Sequence, residues 1–137
     1  RDLVRSRGLG DVYKRQDFGM SYPVQKAAIA ALTGPRDGVK AQCMEYQKRR
    51  DSFLGALRKI GWNVPDSHGT MFVWLPVPEG YTSWSFCEAL MDKAGVIGTP
   101  GTAFGPMGEG YIRFALVKPC EELVHIAEVI GESGLFA

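Results

Sequence analysis

The sequence predicts an α/β module of the α+β kind, a small domain with helices packed on a small sheet. Apolar residues recur at every third or fourth position in four segments. Short runs rich in β-branched and aromatic residues lie among them, and proline or glycine marks nearly every junction. The chain has 137 residues, 45% apolar and 23% charged, which are ordinary values for a globular domain and exclude a disordered tail, a collagen-like repeat or a disulfide-dense miniprotein.

The first helix opens at Pro23, whose missing N–H would have no partner in a first helical turn anyway. Val24, Ala27, Ala28, Ala31 and Leu32 fall on one face, and Thr33-Gly34-Pro35 stops the run. A longer helix is predicted from about Asp37 to Ile60. Val39, Cys43, Tyr46, Arg50, Leu54, Leu57 and Ile60 step along it every three or four positions, and Gly61 is placed to end it in a left-handed cap. Roughly 24 residues at 1.5 Å each span about 36 Å, long enough to extend beyond its own domain. Thr70–Leu75 reads as a strand closed by Pro76 and Pro78. Ser83 is expected to cap a helix carrying Phe86, Ala89, Leu90 and Ala94, with Gly95 as its stop. Val96-Ile97 is expected to begin a short strand, residues 99–110 a glycine-rich loop, and Tyr111–Val117 the strongest strand. Pro119 opens a last helix with Glu121 and Glu122 in the favourable first turn and Leu123, Ile126, Ala127 and Ile130 as its stripe.

Sixteen Lys and Arg against fifteen Asp and Glu leave a net charge of +1, which points to neither a nucleic-acid binder nor an acidic solvating protein. The charge is unevenly spread. Residues 1–16 carry Arg1, Arg5, Arg7, Lys14 and Arg15 against Asp2 and Asp11, so the remainder is slightly acidic. This segment, RDLVRSRGLGDVYKRQ, has neither helical nor strand period. It reads either as a basic arm that folds on an anionic partner or as foreign sequence, because LVRSRGLGDVYKRQ resembles a translated sequencing adapter. On the second reading the native chain is expected to continue upstream of Asp17. Cys43, Cys87 and Cys120 have no metal or redox spacing, and their odd number argues against a secreted disulfide framework. His68 and His125 are isolated, so no metal site is expected. The longest unbroken apolar stretches, Ala27–Leu32 and Met71–Pro76, are far short of a membrane span, and the expected setting is cytoplasmic.

Two features bear on chemistry. Six glycines fall within the sixteen residues Gly95–Gly110, a backbone that needs unusual dihedrals or close approach to another group. They lead into a strand, and no Gly-Lys-Ser/Thr follows, so the phosphate-cradling motifs are excluded. Taken alone this is a structural loop. Arg113 is the sole charged residue of Tyr111–Val117, and strand alternation puts it on one face with Tyr111, Ala115 and Val117. Its planar, permanently charged fork suits a carboxylate gripped by two parallel hydrogen bonds. A solvated strand arginine, or one paired with a nearby acid, fits the same local sequence.

Together, Thr99-Pro-Gly101, Phe104-Gly105 and Gly108-Glu-Gly110-Tyr-Ile-Arg113-Phe-Ala-Leu116 closely resemble the C-terminal signature of class I/II aminotransferases, pyridoxal-phosphate enzymes of fold type I. The resemblance extends upstream through Tyr22-Pro-Val-Gln-Lys-Ala-Ala-Ile29, Tyr46-Gln-Lys-Arg-Arg-Asp51, Leu57 with Gly61-Trp62, and Gly69-Thr-Met-Phe-Val-Trp-Leu75. It covers essentially all of residues 17–137 and is closest in flavour to the LL-diaminopimelate and alanine aminotransferase branch. It implies that 17–137 is the small C-terminal domain, with a mainly antiparallel sheet and the helix at about 37–60 reaching towards a large domain.

The resemblance further implies amino-group transfer between an amino acid and a 2-oxo acid through pyridoxal phosphate, in a parent enzyme that is a homodimer. Arg113 would bind the substrate α-carboxylate, and the glycine-rich loop would act by geometry alone. The family's Schiff-base lysine, its acid at the pyridine nitrogen and its phosphate cradle belong to the large domain. Lys26, Lys40, Lys48, Lys59, Lys93 and Lys118 lie on helices or at their ends, and none has the Ser-x-x-Lys type of context of the family's lysine. No catalytic or cofactor-binding residue is therefore expected in this chain, and by itself it should be inactive. Two other classes remain: a non-catalytic carboxylate-binding regulatory module built on Arg113, and a nucleic-acid binder that requires residues 1–16 to be genuine.

Overall fold

A computed structural model describes residues 20–136, so the basic segment 1–16 lies outside the described residues. The chain divides into two compact units that part between Gly38 and Val39.

In the first unit, Pro23 stands in the first turn of α1 (Tyr22–Thr33) as expected, and the Gly34 amide closes its end on the Ala30 carbonyl. None of its residues is buried, and Val24 and Leu32 from its predicted apolar face are exposed.

The long helix α2 (Asp37–Lys59) gives all but its first two residues to the second unit. Burial answers only the later part of its predicted stripe. Phe53, Leu54, Ala56 and Leu57 are in the core, whereas Val39 and Cys43 are exposed. Arg58 and Lys59 occupy the last turn, where the helix dipole favours positive charge. Gly61 follows at φ +88°, a left-handed conformation that glycine adopts without a Cβ clash, and the Trp62 amide turns back to the Leu57 carbonyl.

Three strands form one antiparallel sheet in the order β1 (Phe72–Pro76), β3 (Tyr111–Ala115) and β2 (Thr99–Pro100). Two helices, α3 (Ser83–Ala94) and α4 (Cys120–Glu132), complete the unit. Strand alternation sends Val73, Leu75, Ile112 and Phe114 into a core shared with Phe53 and Leu57 of α2, Phe86 and Leu90 of α3, and Leu123, Ala127 and Ile130 of α4. Trp62 anchors this core. It meets Phe86 and Phe114 edge-on, and its indole N–H donates to the Pro76 carbonyl at 2.9 Å, so the buried ring leaves no polar atom unpaired.

Several boundaries differ from the sequence reading. Val96-Ile97 forms no strand; β2 is Thr99–Pro100, because only those two residues come into register with Ile112 and Arg113. The Thr82 side chain, and not Ser83, caps α3, in a reciprocal capping box with Ser85. Ser83 is instead the first helical residue and is fully buried. β1 begins two residues late because Thr70 has φ +65°, which breaks extended backbone. The glycine-rich loop holds β2 and two 3-10 turns, Gly101–Phe104 and Pro106–Gly108. Among the described residues no helix is long and apolar enough to cross a membrane.

Candidate functional site

The face of the sheet opposite the core carries Phe72 and Trp74 from β1 and Tyr111, Arg113 and Ala115 from β3. Arg113 sits on the central strand with Trp74 directly across on one side and Thr99 on the other. Its side chain is half-buried and makes no hydrogen bond or ion pair among the described residues. It lies instead against two aromatic rings, with Cζ 4.2 Å from the centroid of Phe72 and 4.5 Å from that of Phe104. A ring face attracts the cation without accepting its N–H groups as a carboxylate would. A positive, planar set of donors therefore stands ready on an otherwise aromatic face, which is suited chemically to a carboxylate.

The loop that carries Phe104 is fixed by backbone packing. Gly101 and Gly108 are buried and lie backbone to backbone, so a methyl group on either would overlap the other's carbonyl oxygen. Close approach, not a left-handed dihedral, explains these two glycines. Ser83 clips the arrangement together: its Oγ donates to the Gly108 carbonyl at 3.2 Å and accepts from the Tyr111 amide at 3.1 Å, where β3 begins.

Glu109 adds a charged tie, its Oε1 accepting from the Ser83 amide at 2.8 Å and from the Gly110 amide at 3.1 Å. Those amides, Ser83 first, hold the Glu109 carboxyl below the ordinary glutamate range. A pKa lowered on folding adds stability that is present above the unfolded-state value and is lost as pH falls through the folded one. Glu109→Gln is therefore expected to remove part of the acid destabilisation seen below the ordinary glutamate pKa. Thermal unfolding measured across that acid range checks it, and identical pH profiles for both proteins would rule out the tie.

Other polar groupings lie elsewhere. The Arg58 guanidinium beside Asp66 holds that carboxyl low, in a cleft of about 360 Å³ shared with Arg50 and His68. A groove of about 570 Å³ runs between α2 and the segment leading into β1, past Cys43, Tyr46 and Thr70, and reaches Phe72. Neither contains Arg113. Burial pushes the Cys87 thiol up, away from reactivity. Among the described residues no cluster of His, Cys, Asp and Glu could hold a metal ion. The six described lysines are all exposed, and Lys118 pairs with Glu122 at 3.0 Å.

Sequence reading located Arg113 and its face but gave no role to Phe72, Trp74, Phe104 or Glu109. Phe72 and Trp74 could have been assigned to one face of β1 by alternation. Their meeting with Arg113 depends on a register between segments about 40 residues apart, which no local pattern encodes.

The model of the aminotransferase class I and II family matches residues 12–130. The LL-diaminopimelate aminotransferase of Dehalococcoides mccartyi (strain ATCC BAA-2266 / KCTC 15142 / 195) is 50% identical over 107 residues, 78% of this chain and 28% of that protein. A solved aminotransferase from Staphylococcus aureus superposes with a TM-score of 0.81 at 30% identity, over 96% of this chain and 35% of the other. An alanine aminotransferase from Pyrococcus furiosus gives 0.78 at 27% identity, over 95% of this chain and 34% of the other. The chain thus spans under a third of the length of that curated relative.

Proposed function

The chain belongs to the class I and II aminotransferases, and on that premise we propose that it is part of an enzyme moving an amino group between an amino acid and a 2-oxo acid, with Arg113 taking the substrate α-carboxylate. One observation carries the assignment of Arg113. It is a half-buried guanidinium on the central strand, with its N–H groups unspent among the described residues and aromatic rings as its neighbours. Two parallel N–H to oxygen bonds would fix the substrate's orientation as well as hold it.

Pyridoxal phosphate would supply the electron sink for negative charge at the substrate α-carbon. The described residues do not fit it: their lysines are exposed and none faces the Arg113 side of the sheet from a neighbouring strand. We accordingly read residues 17–137 as the small C-terminal domain, with α2 as the interdomain helix, of a homodimeric, cytoplasmic parent enzyme. The Schiff-base lysine and phosphate cradle belong to the remainder of that enzyme.

Two experiments test this. Pyridoxal phosphate mixed with the 137-residue chain is expected to give no lasting absorption band of a lysine-linked cofactor and no turnover; a stable band would overturn the fragment reading. The full-length protein, assayed with 2-oxoglutarate as acceptor and LL-diaminopimelate or L-alanine as donor, is expected to form glutamate with at least one of them. Carboxylate binding without any amino transfer would favour the regulatory module instead.

A further inference from the structure

We propose that Phe72 and Phe104 are positioning residues that hold the Arg113 guanidinium in the orientation in which its N–H groups meet a carboxylate; this rests on the reading of Arg113 as the carboxylate ligand. An arginine side chain has four rotatable bonds, and on an open sheet face it would sample many directions before binding. Here Cζ lies over two rings, at 4.2 Å from Phe72 and 4.5 Å from Phe104. Ring faces satisfy the charge without consuming an N–H, so they order the side chain while its donors stay free among the described residues. A carboxylate partner from the protein would also order it, but would compete with the ligand.

The ring of Phe104 and the backbone of Phe72 are themselves held. Phe104 is 54% exposed on a short 3-10 turn, yet Trp74 meets it edge-on, with centroids 5.6 Å apart. Trp74 is stacked in turn on Tyr111 at 5.7 Å and 24°. Phe72 follows the left-handed Thr70, whose Oγ1 accepts from the Phe72 amide at 3.0 Å and so fixes the start of β1. The aromatic residues on this face thus form a connected brace whose one charged member is Arg113.

The test uses the full-length protein and steady-state kinetics with the donor that it accepts. Phe104→Leu, which keeps bulk and removes the π face, is expected to raise KM for both amino acid and 2-oxo acid about 3- to 10-fold, with kcat within about twofold. Phe104→Tyr should restore KM, and Phe72→Leu should reproduce the rise. In an Arg113→Ala background, Phe104→Leu should add nothing, because the residue it positions is gone. An unchanged KM in both leucine variants, with Arg113→Ala still strongly impaired, would overturn the positioning role and leave the carboxylate reading standing. An equal rise in the Arg113→Ala background would overturn it too, by showing that Phe104 touches substrate directly. A normal KM for Arg113→Ala would instead remove the carboxylate reading itself.

Discussion

Arg113→Ala in the full-length protein is expected to lower kcat/KM by about 100- to 10,000-fold, largely through KM for both the amino acid and the 2-oxo acid. Two charge-assisted hydrogen bonds are lost, each worth about 1.5–3 kcal/mol, and roughly 1.4 kcal/mol corresponds to a tenfold change. The aromatic surroundings sharpen the loss. Phe72 and Phe104, the two rings against the guanidinium, carry no hydrogen-bond donor to replace it. Arg113→Lys keeps the charge but replaces a planar fork by a point charge, so it is expected to recover only part of the activity. Steady-state kinetics of the three proteins decide the matter. Wild-type KM in the alanine variant would end the assignment.

Gly108→Ala is expected to destabilise the chain by about 3 kcal/mol or more, the upper range for forcing atoms into a packed interior. A Cβ here would overlap the backbone of Gly101, and neither backbone can yield without moving β2 or the Ser83 clip. Gly101→Ala meets the reciprocal clash with the Gly108 carbonyl and should behave alike. Gly55 provides the contrast. It lies within α2 with open space where a Cβ would stand, so Gly55→Ala should stabilise by about 0.5–1 kcal/mol. Urea unfolding of the variants gives the comparison, and a Gly108→Ala midpoint equal to wild type would mean that the two backbones do not meet as described. Since the same loop carries Phe104, the substitution should also impair Arg113 positioning in the full-length enzyme.

The helices were legible because their information is local. The stops at Gly61 and Gly95, both left-handed in the structure, and the opening at Pro119 follow from steric rules that act within one turn. α4 kept its predicted stripe, with Leu123, Ala127 and Ile130 buried and Ile126 half-buried. The predicted stripe of α2 is only partly answered: the sequence marks apolar period along the whole helix, but Val39 and Cys43 are exposed. Periodicity records that a face is to be covered and does not say by what.

Local pattern also determined that Arg113 would share a strand face with Tyr111 and Ala115, since side chains alternate along any strand; that this face lies opposite the core came from the fold. It could not determine β2. Val96-Ile97 has the better β-forming residues, yet Thr99–Pro100 is the strand, because a strand exists only where a neighbour offers the ladder, and β3 offers it there. The same reason governs the candidate site. Phe72, Trp74, Thr99 and Phe104 surround Arg113 through pairings between segments far apart in the chain, and only the folded register brings them together. Helix hydrogen bonds close over four residues and can be read from four residues. Sheet contacts close over dozens, so the sequence names the charged group and tertiary structure decides its surroundings.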